Sequence, residues 1–181
     1  MSGYKIRTIL YSNCETWREI EIPSDITFEN LHRIIQKLFG FSDYHMWEFR
    51  IPKQDSEEFD LYDIIRTVEI DDAGDILVCE VFDEYDVALY EYDFGDGWEF
   101  IIHKTEDTDY DKKTAILTDY AGKYNPIEDI GGIMVFEEIM EALNDEEELG
   151  YVLEEYGFDK TYLKSADFEK KFKKGSKILI K

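Results

Sequence analysis

The stretch that most constrains the fold is YEYDFGDGWEF, residues 90–100, where aromatic and acidic residues alternate on both sides of Gly-Asp-Gly. Alternation with a period of two residues predicts two β-strands, and the glycines predict a tight turn between them. A slip of one residue would turn the aromatic face to solvent, so burial selects the register. We predict an antiparallel hairpin with a three-residue loop, Gly95 to Gly97, and with Gly97 in the left-handed conformation.

This register also predicts which side chains share a face of the hairpin. Phe94 would pair with Trp98, and Tyr92 with Phe100, so the aromatic rings would form one apolar face. We therefore expect Phe94 and Trp98 to be mainly structural. Trp98 is also a candidate for contact with a ligand at the end of that face.

The other face of the hairpin would bring Asp93 directly opposite Glu99, with Asp96 at the tip of the loop. Opposed like charges cost about 0.2 to 1 kcal/mol unless something between them offsets the repulsion. A basic side chain, a backbone donor or a bound cation could each do so. Asp93 and Glu99 are the carboxylates that a divalent cation would use, because Ca²⁺ and Mg²⁺ take oxygen ligands.

A second acidic motif, NPIEDIGG at residues 125–132, precedes a stretch with helical spacing of apolar residues. Acids just before a helix are stabilised by its positive end, and Gly131 and Gly132 allow a sharp turn or a close backbone approach. The motif could simply be a loop that caps the helix. Alternatively, Glu128 and Asp129 point into a cleft shared with the hairpin tip, and we predict that the acids of the two motifs lie near one another.

The rest of the pattern predicts a single α+β domain over residues 1–181. Strand-like alternation at 4–12 and 16–22, helical spacing at 31–39 and a strand at 45–51 indicate a β-β-α-β opening. The sheet is expected to be mixed or mainly antiparallel, and the last third of the chain to be helical.

Charge excludes one class of partner. The net charge is −23. Residues 160–181, which include the Lys-rich tail at residues 170–181, carry a positive net charge, so residues 1–159 carry about −29. Nucleic-acid-binding proteins usually present a basic face to phosphates, so direct nucleic-acid binding is not expected. An acidic body instead suits a basic protein, a basic small molecule or a cation.

Two cysteines are too few for a disulfide framework, and the chain has neither a signal-like apolar region nor a run of about 18 apolar residues. These features predict a cytoplasmic protein that does not span a membrane. No nucleophile elbow, P-loop, dinucleotide fingerprint or HExxH motif is present. Three scattered histidines do not predict a zinc site, and His32, beside an apolar helical stripe, is interpreted as structural.

The motifs LHRIIQKLFGF, HMWEFRI, YEYDFGDGWEF and PIEDIGG follow one another in an order that resembles the plasmid pRiA4b ORF-3-like family, from about residue 4 to 172. Members of that family occur on plasmids, near mobile elements and in chromosomes, and their biochemical function is not established. The resemblance assigns to the family motif the residues Tyr92, Asp93, Phe94, Gly95, Asp96, Gly97, Trp98, Glu99, Pro126, Glu128, Asp129, Gly131 and Gly132.

The chain departs from the family pattern at two places. Many relatives have His at the position of Phe100 and Cys at the positions of Tyr124 and Ile130. A metal site built from those groups could not exist here. The resemblance therefore leaves the carboxylates and Trp98 as the shared chemistry.

Taken together, these features favour a binding or accessory module whose acidic cleft recognises a protein or small-molecule ligand, with no cofactor expected. The alternative is a metal-assisted hydrolase, which would need at least three carboxylates in one pocket. The candidate residues for either function are Asp93, Asp96, Trp98, Glu99, Glu128 and Asp129.

Overall fold

A computed structural model describes residues 2–54 and 62–180, and these form a mixed α+β structure. The described residues contain eight strands, β1 to β8, which are Ser2–Leu10, Trp17–Pro23, Trp47–Pro52, Ile64–Glu69, Val87–Tyr92, Trp98–Asp109, Thr114–Ala121 and Lys177–Leu179. They also contain five helices, α1 to α5, which are Phe28–Phe39, Cys79–Phe82, Ile133–Ala142, Glu146–Glu155 and Lys160–Ala166. A short 3₁₀ helix spans Phe168–Lys170.

All eight strands belong to one antiparallel sheet in the order β4-β3-β5-β6-β1-β2-β7-β8. The β5–β6 hairpin lies near its middle, so its apolar face is buried on the core side. Phe100 of that face packs against Phe39 of α1, with ring centroids 4.6 Å apart, and Trp98 packs against Phe136 of α3 at 6.2 Å. Both helices therefore cover the aromatic face that the alternation predicts.

The Lys-rich tail reaches one edge of this sheet, where β8 pairs with β7. Lys174 forms an ion pair with Asp119 at 2.7 Å. No helix in the described ranges is both long and apolar enough to cross a membrane.

The register of the β5–β6 hairpin differs from the predicted one. Tyr92 pairs with Trp98 and Tyr90 with Phe100, so the predicted pairing of Phe94 with Trp98 is wrong. The connection is the five-residue loop 93–97 rather than three residues. Each strand residue nevertheless keeps its predicted face, because the pairing has shifted by two residues and side chains alternate with a period of two.

The longer loop arises because Asp93 leaves the ladder. Its backbone takes a left-handed φ of 56°, and its N–H donates to the carbonyl of Met46 in the α1–β3 loop at 2.9 Å. The N–H of Gly97 then donates to the carbonyl of Asp93 and closes the loop. Gly97 has a φ of 67°, as predicted. Phe94 lies at the tip with 51% of its surface exposed, so its predicted packing role is wrong.

Candidate functional site

Three loops meet at the tip of the β5–β6 hairpin. They are the α1–β3 loop (residues 40–46), the β5–β6 loop (93–97) and the segment that leads into α3 (122–132). Their titratable side chains form a cluster that we call the acidic corner, defined as His45, Asp93, Asp96, Glu128 and Asp129.

Asp93 organises the β5–β6 loop from within. It is only 7% exposed, and its Oδ1 accepts hydrogen bonds from the backbone N–H groups of Gly95 at 3.1 Å and Asp96 at 3.4 Å. Asp side chains commonly bond to the backbone two residues later, which stabilises a turn. With Oδ1 occupied in this way, Oδ2 faces the ring of His45, 3.6 Å from its Nε2.

Glu128 links two of the loops to the sheet. The Tyr92 hydroxyl donates to Glu128 Oε1, and the N–H of Ser42 donates to both Glu128 oxygens at 3.0 and 3.2 Å. Tyr92 also accepts from the N–H of Tyr44 at 3.1 Å. Burial, together with the bond to Glu128, holds the pKa of the Tyr92 phenol well above its usual range. Glu128 is thus largely committed to structure.

The loop before α3 approaches the hairpin tip very closely at Gly132. A Cβ on Gly132, whose φ is 85°, would lie 2.4 Å from the carbonyl oxygen of Asp96. The N–H of Gly131 donates to Oδ2 of Asp96 at 3.4 Å. Burial, and then the neighbouring Asp93 charge, raise the pKa of Asp96. Gly132 therefore serves a close backbone approach, which is one of the two roles that the sequence leaves open for the paired glycines.

Asp129 completes the acidic corner from the same segment. Its Oδ1 lies 3.3 Å from His45 Nε2, and its side chain is 77% exposed. One ligand atom from each of His45, Asp93 and Asp129 lies within 4.8 Å of the others. The hairpin tip and the second motif therefore share one site, which confirms the predicted proximity of Asp93 and Asp129.

Backbone strain concentrates on these loops. Within the described ranges, three non-glycine residues have a positive φ, namely Asp43 at 60°, Asp93 at 56° and Asp129 at 59°. All three belong to the loops that form the acidic corner. Such conformations cost free energy and cluster at functional sites, although aspartate tolerates them better than most residues.

The strained Asp43 is held by a buried histidine. Tyr90 receives a hydrogen bond from the Gln36 amide at 3.0 Å, so its hydroxyl donates to His32 Nδ1 at 2.8 Å, and His32 Nε2–H donates to Asp43 at 2.8 Å. Burial lowers the pKa of His32 and outweighs the opposing effect of Asp43, which agrees with a neutral ring. His32 is structural, and it positions the loop that carries His45.

Glu99 does not belong to the acidic corner. It lies opposite Glu91 across the hairpin, and Arg50 of β3 pairs with Glu91 at 3.0 Å and with Glu99 at 2.8 Å. The predicted opposition of Asp93 and Glu99 is therefore wrong, because Asp93 is in the loop. Arg50 is a basic side chain, one of the three kinds of group that could offset such repulsion, and it pairs with the two acids that do lie opposite each other, Glu91 and Glu99.

The family model for the plasmid pRiA4b ORF-3-like protein matches residues 4–171. The chain belongs to the plasmid pRiA4b ORF-3-like family. One relative, the uncharacterized protein y4hQ of Sinorhizobium fredii (strain NBRC 101917 / NGR234), is 32% identical over 135 residues; the match covers 71% of this chain and 66% of y4hQ. A crystal structure of a protein of unknown function, MM3350 from Methanosarcina mazei Go1, is 25% identical with a TM-score of 0.67, covering 90% of this chain and 96% of that chain.

In this member of the pRiA4b ORF-3-like family, some motif residues are buried beneath the acidic corner and others lie at its surface. Tyr92 and Trp98 are fully buried, and Trp98 packs below the loops against Phe41 and Phe136. Trp98 therefore supports the loops from inside the core and has no surface for a ligand. The exposed and half-buried motif residues at the corner are Phe94, Gly95, Asp96, Gly97, Glu128, Asp129 and Gly131.

Reasoning from the sequence missed His45 as a member of the site. The sequence shows a single histidine ahead of a strand, with no second ligand at a characteristic spacing. Its partners, Asp93 and Asp129, are brought to it only by the tertiary fold. The one available signal was the position of His45 in a loop at a strand end, where functional residues are often found.

Proposed function

We propose that this protein is a cytoplasmic binding module whose acidic corner holds a positively charged group of a protein or small-molecule ligand. The observation that supports this most is the convergence of Asp93 and Asp96 of the β5–β6 loop with Asp129 of the segment before α3. In the part of the chain that the structure describes, no Lys or Arg forms an ion pair with any of these three carboxylates. Carboxylates that are close together without a cation repel one another, and a positive ligand would relieve that repulsion.

The state of each carboxylate favours binding over hydrolysis. Glu128 is occupied by Tyr92 and Ser42, and one oxygen of Asp93 is occupied by loop amides. Glu99, one of the five candidate carboxylates of the hydrolase alternative, is paired with Arg50 of β3 instead. The corner therefore offers a few free oxygens at a surface rather than a pocket with several free carboxylates, which would be needed for general acid and base catalysis.

Net charge and cysteine content support the same proposal. A net charge of −23 would attract a basic partner over a distance and repel nucleic acid. Cys14 and Cys79 are both free, as expected for a protein in a reducing compartment.

Hexalysine carrying a fluorophore is a suitable probe for this site, with binding measured by fluorescence anisotropy at low salt. The double substitution Asp93→Asn with Asp129→Asn should weaken binding by about tenfold, equivalent to roughly 1.4 kcal/mol. Asparagine keeps the oxygen that accepts the loop amides and tolerates the left-handed backbone, so the fold should survive.

The matched control is Glu154→Gln with Glu155→Gln, which removes the same charge from the exposed end of α4. This variant should bind hexalysine within about twofold of the wild-type protein, since only general attraction is reduced. Equal weakening in both variants would mean that hexalysine senses net charge alone, and the proposed site would be rejected.

A further inference from the structure

We propose that His45, Asp93 and Asp129 together bind one divalent transition-metal ion, with Zn²⁺ as the best fit. The inference rests on the proposed function, because the metal ion would lie in the same acidic corner and would take a group of the bound ligand at its remaining position. The predicted cation ligands, Asp93 and Glu99, are replaced by a set that shares only Asp93 and adds a nitrogen ligand.

The distances between the three ligand atoms suit a single small ion. His45 Nε2 lies 3.6 Å from Asp93 Oδ2 and 3.3 Å from Asp129 Oδ1, and the three ligand atoms lie within 4.8 Å of one another. Zinc bonds nitrogen and carboxylate oxygen at about 2.0 to 2.2 Å, so two tetrahedral ligands of one ion lie about 3.4 Å apart. The two distances from His45 match this separation, and a metal ion would need only the two carboxylates to adjust relative to each other.

Two of the three ligands, Asp93 and His45, are held by local structure. Asp93 is buried, and its Oδ1 is fixed by the N–H groups of Gly95 and Asp96, so Oδ2 is left to face His45. The His45 ring stands edge-on to the Tyr92 ring, with centroids 5.8 Å apart. Side chains held by packing and by hydrogen bonds lose little conformational freedom when they bind a metal ion.

The ligand types determine the class of metal. An imidazole nitrogen suits zinc and other late first-row metals, whereas Ca²⁺ and Mg²⁺ prefer sites made of oxygen alone. Three protein ligands leave a fourth position on a tetrahedral ion, which water or a group of a bound partner would occupy. Since Asp129 is exposed, that fourth position faces the surface.

A competing explanation is that His45 only holds Asp93 and Asp129 in place through its polar contacts with them, at 3.6 and 3.3 Å. The two explanations differ in their response to metal. Metal binding requires the imidazole nitrogen as a ligand. A purely structural His45 would give no saturable metal binding at the corner.

The experiment is isothermal titration calorimetry of the full chain, stripped of metal with a chelator and then titrated with zinc chloride. We expect one Zn²⁺ per chain with micromolar or tighter affinity, and affinity for CaCl₂ and MgCl₂ lower by about a hundredfold or more. His45→Ala should weaken zinc binding by about a hundredfold, and Asp129→Asn by about tenfold. The control His103→Ala removes a histidine from β6, away from the corner, and should leave the affinity within about twofold.

Thermal denaturation provides a second readout, because a ligand that binds only the folded state raises the melting temperature. Zinc should raise the melting temperature of the wild-type protein and of His103→Ala, but not that of His45→Ala. Zinc binding that is absent at about 100 μM, or that is unchanged by His45→Ala, would overturn the inference. If hexalysine still requires Asp93 and Asp129 in that case, the proposed function stands; if neither probe binds the corner, both are rejected.

Discussion

Replacing Gly132 by alanine is expected to lower the free energy of unfolding by about 3 kcal/mol or more. Two effects add together. The new Cβ would lie 2.4 Å from the backbone oxygen of Asp96, which is far inside normal contact distance. The backbone angles of Gly132, φ 85° and ψ −166°, also belong to a region that is essentially restricted to glycine. Chemical denaturation with urea would measure the loss.

Gly97→Ala is the matched control for this prediction. Gly97 also has a positive φ, 67°, but no atom in the described parts of the chain lies within 4 Å of the place where a Cβ would be. Only the left-handed conformation is penalised there, so a loss of about 1 kcal/mol is expected. Similar losses for the two variants would mean that the loop before α3 does not press against the hairpin tip, and the close approach at the acidic corner would be wrong.

Trp98→Ala is expected to lower the free energy of unfolding by about 3 to 5 kcal/mol, the usual range for a large aromatic side chain in a core. Trp98 is fully buried and packs between Phe41 and Phe136, so its removal leaves a cavity directly below the loops. The corner should lose affinity for its ligand as well, because the hairpin tip would lose its support. Thermal and urea denaturation would measure the effect on stability.

Trp98→Phe separates packing from hydrogen bonding at this position. Among the described residues, the buried Nε1 of Trp98 has no hydrogen-bond partner, so phenylalanine removes an unsatisfied donor while it keeps a six-membered aromatic ring. The Trp98→Phe substitution should lower the free energy of unfolding by less than about 1.5 kcal/mol. A Trp98→Ala variant with nearly wild-type stability would instead identify Trp98 as a binding surface, contrary to its burial.

The faces of the central hairpin could be predicted from the sequence, but the pairing of its residues could not. Alternation decides which face each side chain occupies, and a shift of two residues leaves every face unchanged. The pairing depends on Asp93, which leaves the ladder to bond the amides of its own loop and the carbonyl of Met46. The bond to Met46 joins residues 47 positions apart in the sequence, and so no local pattern reports it.

The members of the acidic corner were only partly predictable for the same reason. Acids beside glycines at element ends pointed correctly to Asp93 and Asp129, but the same reasoning placed Glu99 with them. Glu99 forms an ion pair with Arg50, which lies on a strand that is distant in sequence. His45 has no partner at a metal-ligand spacing, because such spacing is recognisable only when the ligands are close in sequence.

The proposed function requires that the three loops at the hairpin tip form one binding site for a positive ligand. Two-dimensional ¹H–¹⁵N NMR of the wild-type protein, titrated with hexalysine, tests this requirement directly. We predict that the largest chemical-shift changes fall on the amides that face corner carboxylates, which are Ser42, Gly95, Asp96 and Gly131. Changes centred instead on the acidic first turn of α4, at the amides of Glu147 and Glu148, would contradict it.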